Sequence, residues 1–253
     1  MNYKLKYLKY KKKYLILKKQ LGGNYSLKSR RKKLNPHANC VEKITKDKLD
    51  GYLANCSTYN SIDLGPDIDD NDITKIFKNN PNIKFLNMDD CTNITDASFK
   101  HFKNLFRLSM VNCIQITNQA IIDNLSNLRE LDVTGCKKLV DAPFRYLINL
   151  EKLNISNCDN LTDTILGIIA VRIKKLKQLI MRNCSTKFNV TGFHYLFLKE
   201  PPLECIDLDE CQPNLFSQNK YILNTFLDHG TKIKFNGIII DNIEKLSMSL
   251  SLP

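Results

Sequence analysis

The sequence predicts an α/β solenoid built from stacked strand–helix units and preceded by a basic amphipathic helix. Three observations lead there. One apolar pattern recurs seven times between residues 59 and 211. Six of the seven copies close on a Cys in the same phase. Residues 1–33 hold 13 Lys/Arg and no acid, whereas the remaining 220 residues hold 25 bases against 26 acids. A near-neutral repeating body with a cationic arm accounts for all three.

The pattern reads L-x-x-L-x-L-x-x-C, with Ile, Met or Val sometimes replacing Leu. Its Cys-bearing copies are Ile83/Leu86/Met88/Cys91, Leu105/Leu108/Met110/Cys113 and Leu128/Leu131/Val133/Cys136, followed by three more. These are Leu150/Leu153/Ile155/Cys158, Leu176/Leu179/Met181/Cys184 and Leu203/Ile206/Leu208/Cys211. An earlier, imperfect copy is Tyr59/Ile62/Leu64/Asp67, whose Asp in the Cys slot marks it as a terminal repeat.

Each half of the unit has a physical reading. L-x-L alternation puts two apolar side chains on one face of a short strand and the residue between them on the other. After the Cys come Ile94-Thr95-Asp96, Ile116-Thr117-Asn118 and Leu161-Thr162-Asp163. There Thr can cap a helix, and Asp adds negative charge at its positive end. Helical spacing follows, as in Phe99/Phe102 and Ile121/Leu125. One unit cannot bury its own apolar face; stacked copies bury a continuous core. Ile44 through Leu53 reads as a helical half-repeat ahead of the array. Ser217–Leu227 followed by Ile233-x-Phe235 reads as a closing helix and strand.

These residues resemble the cysteine-containing subclass of leucine-rich repeats, known from the arrays of F-box substrate receptors of ubiquitin ligases. The resemblance covers roughly residues 45–236. It implies a right-handed solenoid with strands on the concave side and helices on the convex side. Charge and pattern together divide the chain into a basic arm and linker, 1–36, and a repeat domain, 37–253, with seven strand repeats from about 59 to 211 and capping elements at both ends.

Catalytic chemistry finds no foothold. The phased Cys are demanded by the repeat, and buried structural thiols are inert. No C-x-x-C pair, phosphate-binding glycine loop, H-E-x-x-H or G-x-S-x-G occurs. His37-x-x-Cys40 with Cys56 reads as a loop coincidence, and His101, His194 and His229 sit in separate repeats. Cys205, at a concave strand position between Glu204 and Asp207, reads as an unreactive surface or edge residue, because carboxylates disfavour a thiolate. The expectation is no enzyme, no cofactor, no metal and no small-molecule substrate.

The alternation assigns 21 positions to the concave face, six acidic and three basic. A net of three negative charges argues against a phosphate-binding concavity. Phe85, Val111 and Ile180 are expected to be exposed there. Mixed charge with apolar anchors is the composition of a protein-binding surface. Phe85, Arg107, Asp132, Lys152, Ile180 and Arg182 are the expected partner-binding residues.

In the arm, Tyr3, Tyr7, Tyr10, Tyr14, Leu17 and Leu21 step by four and three, a heptad seam spanning an arc of about 80°. Gly22-Gly23 stops that helix. A partner or self-association helix, a membrane-surface helix, a nucleic-acid arm and a solvated tail all fit. The run from Tyr7 to Lys19, ending in Gly22-Gly23, resembles the N-terminal element of many proteins of mimivirus-like giant DNA viruses. The 28 Asn fit the AT-rich genomes of such viruses.

Hydrophobic content of 43% excludes wholesale disorder. No apolar run reaches the length of a secretory signal core or a membrane span. Nine Cys without an export signal favour a reducing compartment. The sequence therefore predicts a cytoplasmic, non-enzymatic interaction scaffold or adaptor; if it is viral, the host cytoplasm, viral factory or virion is its place. The alternatives are substrate recognition for a ubiquitin ligase, or a structural or packaging protein binding nucleic acid or membrane through its arm.

Overall fold

The L-x-L segments become strands of only three residues, because the apolar residue at the centre of each is the one that must be buried. The structure, a computed structural model, describes residues 43–55, 59–122, 124–184, 188–211 and 220–242. Tyr3, Tyr7, Tyr10 and Tyr14, with the seam they form, lie outside the described residues, as do Cys40 and Cys56.

The repeat strands are β1 Ser61–Asp63, β2 Phe85–Asn87, β3 Arg107–Ser109, β4 Glu130–Asp132, β5 Lys152–Asn154, β6 Gln178–Ile180 and β7 Cys205–Asp207. They are followed by β8 Lys232–Phe235 and β9 Ile238–Ile240. All nine form one sheet in sequence order. The pairing is parallel from β1 to β8, and its register places Leu86, Leu108, Leu131, Leu153, Leu179, Ile206 and Ile233 side by side. Those central residues are at most 2% exposed, so the register is set by one continuous apolar row.

Beyond each of β2 to β7 the chain turns through a left-handed residue just before the Cys slot: Asp90, Asn112, Gly135, Asn157, Asn183 and Glu210 all have positive φ. Asn and Asp tolerate this region better than most residues, and Gly pays nothing for it. The turn keeps the ladder going. The N–H of Asp90, Asn112, Gly135 and Asn157 each donates to a carbonyl one repeat further on, at 2.8–3.1 Å.

The capping Thr residues act as the spacing predicts. Thr95 and Thr162 accept from the N–H two residues on. The neighbouring Asp does something the sequence did not reveal. Asp70, Asp96 and Asp141 accept from both the N–H and the hydroxyl of the capping Thr in the next repeat, Thr95, Thr117 and Thr162 respectively. The carboxylates therefore lock repeat to repeat as well as facing a helix end. Two of the convex segments, Asp96–His101 and Ala142–Tyr146, are 3₁₀ turns rather than α-helices. Both lie in steps of 22 residues from Cys to Cys, the shortest in the array, which leave little chain for a longer helix. The longer step before Cys184 accommodates the ten-residue helix Asp163–Arg172.

Both ends differ from the internal repeats. Ile44 adds a parallel bridge to Leu64, so the leading half-repeat contributes strand as well as the helix Leu49–Asn55. Asp67, in the Cys slot of the first copy, accepts the Lys46 N–H at 2.8 Å and ties that cap down. The closing helix Lys220–Asp228 and strand β8 occur as expected. Strand β9 was not anticipated: Asn236 and Gly237, both at positive φ, turn the chain back into an antiparallel hairpin. Among the described residues no helix is long and apolar enough to cross a membrane.

Candidate protein-binding face

The strand side of the array presents three outward columns, because alternate residues flank the buried row. The first column runs Ser61, Phe85, Arg107, Glu130, Lys152, Gln178, Cys205 and Lys232. The second runs Asp63, Asn87, Ser109, Asp132, Asn154, Ile180, Asp207 and Lys234. The third contains Asp89, Val111, Thr134, Ser156, Arg182 and Asp209, two residues after the second.

All six residues expected to contact a partner lie on this side, and all are half-buried. Phe85, Val111 and Ile180 are therefore less exposed than the sequence suggested. Strands about 4.8 Å apart let each side chain cover its neighbour. Arg107, for instance, lies over the Phe85 ring at 5.6 Å and also bonds Glu130 at 2.6 Å. Phe85 and Arg107 sit on adjacent strands, as do Asp132 and Lys152, and Ile180 is two residues before Arg182.

Several polar residues of the face are occupied internally. Asp132 accepts from Thr134 and from the Asn154 amide at 2.8 Å. Asp89 accepts from the Ser109 hydroxyl at 2.6 Å and from the Val111 N–H at 3.0 Å. Burial raises the Asp89 carboxyl above its ordinary range against those two bonds, and the Asp132 and Asp63 charges push the same way. Arg182 bonds Asp207, and Lys234 bonds Asp209 and reaches Asp207 at 3.3 Å. Burial opposes ionisation of Asp207, but these bonds outweigh it and hold its carboxyl below the usual range. Arg182 and Lys234, both half-buried, thus form a four-residue ion network with the buried Asp207 and Asp209.

The six phased thiols are buried and face away from this side. Each donates to a backbone carbonyl one repeat earlier: Cys91 to Gly65, Cys113 to Met88, Cys136 to Met110, Cys158 to Val133, Cys184 to Ile155 and Cys211 to Met181. The distances are 3.0–3.3 Å. Burial pushes the Cys91 and Cys136 thiols up to about 12 and Cys184 up to about 11. Thiols so held are protonated and poor nucleophiles. Cys205 is half-buried on the strand side, and burial, then Asp207, raises its thiol too.

Sequence reasoning missed a fourth column. The residue before each strand forms a hydrogen-bonded rim: Phe106 N–H donates to Lys84, Arg129 to Phe106, Glu151 to Arg129 and Lys177 to Glu151, each at 2.7–2.8 Å. These positions fall outside the L-x-L alternation, which is why counting that alternation passed over them. Among the described residues no group of His, Cys, Asp or Glu is arranged to hold a metal ion.

No family model matches the sequence, and no curated protein does. Solved structures do. Rad7, from a complex with Elc1 in yeast, superposes with a TM-score of 0.52 at 21% identity, over 63% of this chain and 44% of Rad7. The chain thus spans less than half the length of that neighbour. The leucine-rich-repeat protein LegL7 from Legionella pneumophila gives 0.54 at 13% identity, over 78% of this chain and 73% of its own. Identities this low show a shared architecture. With nine strands in order and helices packed behind them, the chain has the leucine-rich-repeat solenoid fold.

Proposed function

We propose that the protein is a non-enzymatic interaction scaffold whose strand side docks a protein partner. The observation that carries this reading is the side itself: apolar anchors Phe85 and Ile180 stand among Arg107, Asp132, Lys152 and Arg182 across successive strands. Half-buried aromatic, aliphatic and Arg side chains lose little conformational freedom on docking, which makes them efficient contacts. Seven free thiols among the described residues support a reducing compartment such as the cytoplasm.

The test is quantitative capture with the full chain and with a Lys152→Glu, Ile180→Asp variant. Arg107 and Arg182 are left unchanged, since their ion pairs make them part of the fold. The expected result is loss of the captured partner with a melting temperature within a few degrees of the parent. Equal yields from both baits would reject the strand side as the docking surface.

A second reading takes its support from Rad7, whose solved structure is a complex with Elc1. On that reading the array is the recognition subunit of a larger assembly, as the resemblance to F-box receptors implies for a ubiquitin ligase. Co-purification of ligase subunits, insensitive to the strand-side variant, is its signature.

A further inference from the structure

Charge on the strand side is segregated across its width. On the rim and first column, five consecutive repeats each contribute one cation: Lys84, Arg107, Arg129, Lys152 and Lys177. On the second and third columns the charges are mostly Asp, and Asp89 and Asp132 accept only from neutral donors among the described residues. A net charge for the whole face conceals this division.

The cationic row is held rigidly. The rim residues exchange backbone hydrogen bonds repeat by repeat, so the row advances by one strand spacing, about 4.8 Å, per repeat. Phe106, 41% exposed, lies in the middle with Lys84 Nζ 5.4 Å and Arg129 Cζ 5.6 Å from its ring centre. The ring orients Lys84 and Arg129, and the Arg129 side chain stays 61% accessible. Further along the row, that of Lys177 is 55% accessible.

We propose that this row docks a partner protein through an acidic helical face. The proposal rests on the scaffold reading and names the partner's chemistry. An α-helix repeats one face every ~5.4 Å, close to the spacing of the row, so carboxylates three or four residues apart can meet successive cations. Glu130 and Glu151 stand within the row: Glu130 bonds Arg107, and Glu151 bonds Arg129 and reaches Lys177 at 3.7 Å. A nucleic-acid backbone, with a charge about every 1.7 Å on duplex DNA, would be forced against these glutamates and the Asp columns beyond. Spaced carboxylates on a helix avoid them.

The experiment measures anisotropy of three labelled probes on the full chain. They are a helical peptide of about 20 residues with Glu on one face, a peptide of the same composition with the Glu scattered, and a short DNA duplex. The parent should prefer the one-faced peptide. Lys84→Glu with Arg129→Glu should weaken it by about tenfold or more, and Lys84→Gln with Arg129→Gln should weaken it less, with cooperative melting retained in both. Equal binding of the scattered peptide, or no effect of either double variant, overturns the proposal. So does DNA binding that falls in step with the charge reversal, which would make the row a nucleic-acid contact. Capture that is lost in the Lys152→Glu, Ile180→Asp variant but indifferent to Lys84 and Arg129 would keep the scaffold and remove the acidic helix.

Discussion

The thiol of Cys136 lies 3.0 Å from the carbonyl oxygen of Met110, the second inward residue of the preceding repeat. The same bond recurs at Cys113, Cys158, Cys184 and Cys211, and Cys91 makes its counterpart to Gly65, so a weak donor serves as the joint between neighbouring turns of the solenoid. A thiol suits the place because it is small, buries well and still satisfies one carbonyl.

Replacing that thiol should therefore be felt. Cys136→Ser puts a stronger polar group with a shorter bond into a site sized for sulfur and should cost about 1–3 kcal/mol. Denaturant unfolding measures the cost. Native labelling of Cys113, Cys136 and Cys158 should be slow and become fast only after unfolding; fast native labelling at those three would contradict their burial.

Stability should also fall on the alkaline side. Burial lifts Cys91 and Cys136 from the ordinary 9.0 to about 12 and Cys184 to about 11, and lifts Cys113, Cys158 and Cys211 in the same direction. Above about pH 9 the unfolded chain loses thiol protons that the folded chain keeps, so unfolding becomes easier as pH rises. Lys199 acts with the opposite sign. It is buried, donates to the carbonyls of Lys174 and Pro201, and is lowered by burial to about 8. One lysine is outnumbered by six thiols. Melting temperature should hold near pH 7–8 and drop steadily beyond pH 9, with a shallower drop in Cys136→Ala.

Gly135 takes the left-handed turn that Asn or Asp takes in most other repeats. An added Cβ would meet an unfavourable φ of 73° and run into the Asn112 side-chain oxygen. Gly135→Ala should cost about 1–2 kcal/mol from the backbone alone, and more from the clash. In an Asn112→Ala background the second part should vanish. An unchanged penalty there would place the whole cost in the backbone.

Asp141 accepts from the Thr162 N–H at 2.9 Å and from its hydroxyl at 2.7 Å. Asp141→Ala leaves both donors without that acceptor and should destabilise by about 1–3 kcal/mol. Amide exchange should rise first in the helix Asp163–Arg172, because its cap is the group released. A uniform rise across all repeats would argue against a local joint.

The apolar row, the Cys slots and the Thr caps were legible in the sequence because repetition samples the same environment six or seven times. A residue type that returns in phase reports a backbone position rather than chance. Asn236-Gly237 between two apolar runs was an equally readable hairpin signal, but it occurs once, at the end, where no repeat reinforces it. Whether a convex segment is α or 3₁₀ depends on how much chain is left between strands and on what it packs against, so Phe99 and Phe144 gave no sign of it.

By itself the sequence determined the period, the inward faces and the concentration of positive charge in residues 1–33, since each follows from spacing and charge along the chain. Only the tertiary structure decided which carboxylates are committed. Asp207 and Asp209 are bound to Arg182 and Lys234, whereas Asp96 serves the next repeat's cap. It also decided that Lys84, Phe106 and Arg129, more than 20 residues apart in sequence, stand side by side. Hydrogen bonds between stacked repeats create that neighbourhood, and no linear pattern within one repeat contains it.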